Sequence, residues 1–152
     1  MLQQNLYQCI SSKGVVIKKN APPQCSKCNV LMKSIFCGFN QDQLDLNSKM
    51  KIFNFYKKGQ ALIDFKTPYY GIFCIKSGLI NFSTKNKDGT ITSKELGPGS
   101  TIGMCHLEEE YTDFKAEALT DTVACFFDKK YVKEIMENEK SLKDQYANKS
   151  HF

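Results

Sequence analysis

The sequence contains no arginine, no tryptophan and only two histidines, His106 and His151. Arginine is the side chain that holds phosphates and guanine edges with paired hydrogen bonds, so its absence argues against sequence-specific DNA binding. The net charge of +5 comes entirely from lysine, which attracts polyanions only through a long-range field. Two histidines cannot build a histidine-rich metal centre, and no Ser-His-Asp or Cys-His-Asn set can be assembled. We therefore expect no enzyme.

Long apolar segments are also missing, which excludes a transmembrane helix. The stretch Met1 to Ile10 lacks the apolar centre of a secretory signal. Seven cysteines are an odd number, and this fits a reducing compartment better than a disulfide framework. We expect a cytoplasmic protein without a membrane partner. A chain of 152 residues is long enough for one domain with its own core.

Glycine-punctuated strands dominate the centre of the chain. Seven of the nine glycines lie within 56–103, separated by short stretches rich in β-branched and aromatic residues. Asp88-Gly89 marks a hairpin turn, because this pair tolerates the positive φ that tight turns need. Turn signals at intervals of roughly eight to twelve residues favour a β-sandwich or small barrel. Central strands are predicted at 61–65, 72–76, 79–84 and 90–96.

Helices flank these strands. Asn40 is a predicted N-cap for a helix that runs to Met50, and a strand is predicted over 52–56. Asp128 caps a helix predicted over 129–139, whose apolar residues share one face. Further predictions are an edge strand or a disordered arm around 15–17, a short helix over 104–110, and strands at 114–119 and 122–127. The fold class is therefore mainly β with flanking helices.

Three segments carry a family resemblance: KGQAL at 58–62, GIFCIKSG at 71–78 and LGPGSTIG at 96–103. They resemble a cyclic-nucleotide-binding-type sensor domain, most closely that of the Crp/Fnr regulators. The resemblance implies a double-stranded β-helix, or jelly roll. It divides the chain into a polar arm at 1–24, a sensor domain at 25–145 and a tail at 146–152.

The resemblance also bears on partners. Crp/Fnr regulators continue into a dimerisation helix and a helix-turn-helix domain, for which the last residues of this sequence are too few. We therefore expect no sequence-specific DNA binding by this chain alone. The apolar helix face over 131–146 is the predicted contact for a second copy or a partner protein.

The family binds cyclic nucleotide with a phosphate-binding cassette. The resemblance implies a glutamate for the ribose and an arginine plus a hydroxyl residue for the phosphate. A gap-free reading from Gly103 puts Met104, Phe114 and Lys115 at these three places. We expect the pocket, formed by Gly103, Met104, Cys105, Phe114 and Lys115, to keep its shape but to be refilled. A true cyclic-nucleotide-binding domain stays as an alternative.

Four cysteines resemble the oxygen-sensing Fnr branch, in which N-terminal cysteines and one barrel cysteine hold an iron–sulfur cluster. Cys25 and Cys28 form a CxxC, Cys37 follows, and Cys125 lies far along the chain. The gap before Cys37 is longer than in that branch, and Ser34 takes the third place of the pattern. The resemblance therefore implies Cys25, Cys28, Cys37 and Cys125 as metal ligands, for an iron–sulfur cluster before zinc. Reduced thiols without metal remain the alternative.

Two functional hypotheses follow. The first is a non-enzymatic sensor domain of Crp/Fnr type whose effector is a cysteine-bound cluster or another signal. The second is a degenerate interaction module that has lost its ligand and docks through the 131–146 face or the lysine surface.

Overall fold

The computed structural model describes residues 7–10, 16–19 and 24–138. Two helices and ten strands form in this part of the chain. The strands are β1 (Tyr7–Ile10), β2 (Val16–Lys19), β3 (Ile52–Tyr56), β4 (Ala61–Ile63), β5 (Gly71–Ser77), β6 (Ile80–Lys85), β7 (Ile91–Leu96), β8 (Thr101–Ile102), β9 (Phe114–Ala118) and β10 (Thr122–Asp128). The helices are α1 (Gln41–Met50) and α2 (Lys129–Asn138).

Two four-stranded antiparallel sheets make the sandwich. The first sheet has the order β3-β10-β5-β8 and the second the order β4-β9-β6-β7, while β1 and β2 pair separately. Alternating side chains of both sheets fill the space between them, as on β9, where Phe114, Ala116 and Ala118 are buried. The predicted jelly-roll class, mainly β with flanking helices, is confirmed.

Local signals predicted several elements well. Asn40 caps α1 in a capping box with Gln43, whose side chain accepts from the Asn40 amide. The Asp88-Gly89 hairpin is present, with Gly89 at φ 87° and the Asn86 amide donating to Thr90. Asp128 accepts from the Lys130 amide at 2.8 Å at the start of α2.

One predicted helix is shorter than expected. Only Met104–His106 forms a 3₁₀ turn, instead of a helix over 104–110. The chain then makes a further turn, in which the Glu109 amide donates to the His106 carbonyl at 3.0 Å. It leaves the helical path because the Tyr69 amide donates to Glu110 at 2.8 Å and Pro68 bridges to Tyr111.

The apolar face of α2 packs against its own domain. Tyr131 and Val132 are buried, and Ile135 and Met136 lie against the same core. The Tyr131 hydroxyl also donates to the Asn47 side chain of α1. In the described part of α2 this face is therefore covered within the domain, which differs from the free docking face predicted over 131–146. Residues beyond 138, the predicted tail at 146–152 and most of the arm at 1–24 lie outside the described residues.

Within the described residues, neither helix is long and apolar enough to cross a bilayer.

Candidate functional site

The cassette, defined here as residues 103–115, begins at a tightly packed glycine. Gly103 has φ 102°, and its carbonyl accepts a hydrogen bond from the Tyr69 hydroxyl at 2.6 Å. Met104 follows in a buried position, whereas Cys105 is exposed. Met104, which the gap-free sequence reading set at the place of the family's glutamate, is therefore an apolar side chain within the core.

Phe114, which the gap-free sequence reading set at the place of the family's arginine, fills the interior. Its side chain is fully buried. Its ring centre lies 5.4 Å from that of Phe82, 6.2 Å from that of Tyr69 and 4.7 Å from that of His106. These aromatic rings fill the interior next to the cassette, and the Phe114 side chain supplies no positive charge that could pair with a phosphate.

Lys115 points away from this interior. It lies between the buried Phe114 and Ala116 on β9 and therefore projects from the opposite face of the strand. Its ammonium pairs with Glu117 at 3.0 Å on the surface, and this partner raises the Lys115 pKa. Lys115 thus cannot place its charge beside Met104 and Phe114.

Carboxylates border the cassette instead. His106 Nδ1 lies 3.1 Å from a Glu109 carboxylate oxygen and 3.8 Å from an Asp113 carboxylate oxygen. Sequence reasoning did not connect His106 with Asp113, because the approach of Asp113 depends on how the loop folds. These two carboxylates place negative charge within the cassette, which disfavours an anionic phosphate beside them.

Two lysines attach the cassette to α2. Lys129 Nζ donates to the Glu109 carbonyl at 2.9 Å and lies 5.1 Å from the centre of the Tyr69 ring. Lys133 pairs with Glu108 at 3.2 Å. These contacts hold the cassette loop against α2 without a bound ligand.

The predicted cysteine ligands fall on the other side of the first sheet. Cys25 is buried at the start of the 3₁₀ turn Cys25–Lys27, and Cys28, which ends this turn, is half-buried. The Cys25 amide donates to Ser48 Oγ of α1 at 2.8 Å, which fixes the turn to the helix. Cys125 is buried in β10.

The register of the first sheet pairs two cysteines that sequence reasoning did not connect. Cys74 of β5 is the direct cross-strand partner of Cys125, so the two side chains leave the sheet on the same face. Burial raises the pKa of Cys125 to about 12; Lys51 lowers it, and the thiols of Cys25 and Cys28 raise it.

Cys37 is placed differently. Phe36 and Phe39, on either side of it, take inward positions, and the Phe36 ring centre lies 5.0 Å from that of Phe127. Cys37 itself is half-buried. Ser34, at the third place of the Fnr pattern, is buried and closes its own turn by donating to Leu31 and accepting from the Phe36 amide.

A separate groove of about 330 Å³ lies beside the edge strand β4. Leu62, Ile63, Phe73 and Phe126 contribute much of its apolar lining. No cassette residue lines this groove.

Comparisons with known proteins agree with this architecture. The solved catabolite activator protein of Thermus thermophilus is similar with a TM-score of 0.63 and 19% identity, over 75% of this chain and 55% of that one. The sensor domain of the regulator DNR from Pseudomonas aeruginosa gives 0.67 and 15% identity, over 82% and 87%. A cAMP-independent protein kinase A regulatory subunit from Trypanosoma cruzi, bound to guanosine, gives 0.65 and 14%, over 84% and 52%.

These structural similarities show the fold, and this chain spans little more than half the length of the Thermus protein. No curated protein matches the sequence. The family model described as cyclic nucleotide-binding domain matches residues 53–139, which is more than half of the chain. The chain therefore belongs to the cyclic nucleotide-binding domain family.

Proposed function

We propose that this domain is a non-enzymatic regulatory sensor that receives its signal through cysteines and not through a cyclic nucleotide. The observation that carries the proposal is that Cys125 lies directly opposite Cys74, on the sheet face that the cysteine-bearing segment 24–40 covers through the contact of Phe36 with Phe127. Family membership supports the sensor role, and the cysteine signal is our inference for this chain.

The state of the cassette supports the nucleotide half of the proposal. A bound cyclic phosphate would meet the Phe114 ring and the carboxylates of Glu109 and Asp113, with Lys115 on the outer face. Burying a phosphate without a cation costs several kcal/mol. The fold itself does not require cyclic AMP, since the similar Trypanosoma cruzi subunit is described as cAMP-independent.

The donor set supports the cysteine half. Four thiols from the turn and two strands suit a soft metal centre, and an iron–sulfur cluster is ordinarily held by four thiolates. Such a cluster, once bound, would supply sensitivity to oxygen and redox state.

Calorimetry tests the claim that the domain does not receive its signal through a cyclic nucleotide. Titration of the purified chain with cyclic AMP and cyclic GMP should show no dissociation constant of about 1 µM or tighter, equivalent to about −8 kcal/mol. A known cyclic-AMP-binding domain measured in the same buffer is the control. Micromolar binding by this chain would contradict the proposal and favour the alternative of a true cyclic-nucleotide-binding domain.

Amide hydrogen exchange tests whether the domain receives its signal through cysteines, and it does not require a bound metal. Protein prepared without oxygen is compared with the same protein after exposure to air. We expect exchange to change in 24–40, β5 and β10, and to stay constant in the β6–β7 hairpin, which carries no cysteine. The Cys125→Ser variant should lose this response.

An unchanged exchange pattern in air would contradict sensing through cysteines. It would favour the interaction module, a protein that keeps the fold and has lost its ligand.

A further inference from the structure

The side-chain directions on the first sheet bring two distant cysteines together. Cys125 lies two residues before Phe127 on β10, so both project from the same face. Phe127 packs under Phe36, with ring centres 5.0 Å apart, so this face looks toward the segment 24–40. Cys74, directly opposite Cys125, shares that face.

The segment that carries the CxxC turn packs on this face of the sheet. Cys25, Cys74 and Cys125 belong to one buried core cluster. The Cys25 amide donates to Ser48 Oγ of α1 at 2.8 Å, and Phe36 of the same segment packs on Phe127. The segment 24–40 therefore covers the face that carries both strand cysteines.

We propose that Cys74, and not Cys37, completes a four-thiolate site for an iron–sulfur cluster with Cys25, Cys28 and Cys125. The proposal rests on the proposed function and names the ligands of its signal site. Cys37 is half-buried between inward-facing phenylalanines, whereas Cys74 is buried opposite Cys125. Each thiol that binds releases one proton.

Reconstitution of single variants with ferrous iron and sulfide, without oxygen, tests this ligand set. Cys74→Ser and Cys74→Ala should each retain at least about tenfold less iron than the wild type after desalting. Cys37→Ser and the exposed-site control Cys105→Ser should retain wild-type iron. Visible absorption and iron content are the readouts, and circular dichroism checks the fold.

A triple variant keeps the proposal testable even if the buried Cys74 does not tolerate substitution. Cys9→Ser, Cys37→Ser and Cys105→Ser together leave only the four proposed ligands among the seven cysteines. This variant should bind iron like the wild type. Loss of iron from the triple variant, or full iron in folded Cys74 variants, would overturn the ligand set.

The assignment of Cys74 as a ligand and the existence of the cluster can be disproved separately. If Cys37→Ser loses iron and Cys74→Ala keeps it, the assignment of Cys74 is wrong and sensing through cysteines still stands. If the wild type takes up no iron, the cluster is wrong, and the oxygen-dependent exchange of β5 and β10 decides whether the cysteines sense by thiol chemistry alone.

Discussion

Gly103 combines two constraints that can be separated by experiment. Its φ of 102° disfavours any other residue, and a methyl group there would lie 2.6 Å from the Tyr69 hydroxyl. Gly89 has a similar φ of 87°, but a methyl group there meets nothing within 4 Å. Alanine substitutions at the two glycines therefore separate the cost of backbone strain from the cost of steric overlap.

We expect Gly89→Ala to lower the free energy of unfolding by about 1 kcal/mol, the usual cost of a positive φ. Gly103→Ala should cost about 1–3 kcal/mol more, because Tyr69 must move and its hydrogen bond weakens. Urea unfolding of the two variants measures the difference. Equal losses would show that Tyr69 does not hold the start of the cassette.

Phe114 and Lys115 are neighbours in sequence with opposite environments. Phe114 is fully buried, whereas Lys115 forms a surface ion pair with Glu117. We expect Phe114→Ala to lower the unfolding free energy by about 3–5 kcal/mol, because it leaves a cavity in the core. Lys115→Ala should change it by no more than about 0.5 kcal/mol. Comparable losses in urea unfolding would contradict the described interior.

At the level of elements, α2 is attached to the cassette without a ligand. Lys129→Ala removes the hydrogen bond to the Glu109 carbonyl and the contact with the Tyr69 ring. We expect a loss of about 0.5–1 kcal/mol in unfolding free energy and faster amide exchange over 104–113. Lys130→Ala, at an exposed position on the same helix, is the control. Unchanged exchange in the Lys129 variant would mean that this contact does not order the loop.

Sequence patterns predicted these elements where the signal is local. The Asn40 cap, the strand Ile52–Tyr56 and the Asp88-Gly89 turn depend on residues within a few positions of each other. The outward direction of the Lys115 side chain could also have been predicted from the sequence, because Phe114, Ala116 and Ala118 alternate with polar residues.

The cross-strand pairing of Cys74 with Cys125 could not be predicted from such local patterns. It depends on the register of two strands far apart in sequence, and a bulge shifts this register between Val123 and Ala124. Spacing alone favoured Cys37, which follows Cys28 closely in the chain. Long-range pairing is set by the assembled sheet, so the pairing of these two cysteines required the structure.

At the scale of the whole molecule, two faces of one sandwich have different chemistry. The cassette side is filled with aromatic rings and bordered by Glu109 and Asp113. The opposite face of the first sheet carries Cys74 and Cys125, and the segment 24–40 packs on that face through the contact of Phe36 with Phe127. The domain thus keeps the fold of the cyclic nucleotide-binding family, with aromatic rings filling the interior at its cassette.

Iron and acid-labile sulfide content of the wild-type protein, purified without oxygen, tests this account most directly. We predict about four iron and four sulfide per chain, as expected for a cluster held by four cysteines, and loss of both on exposure to air. A folded protein that contains neither iron nor sulfide, before and after reconstitution, would contradict the account.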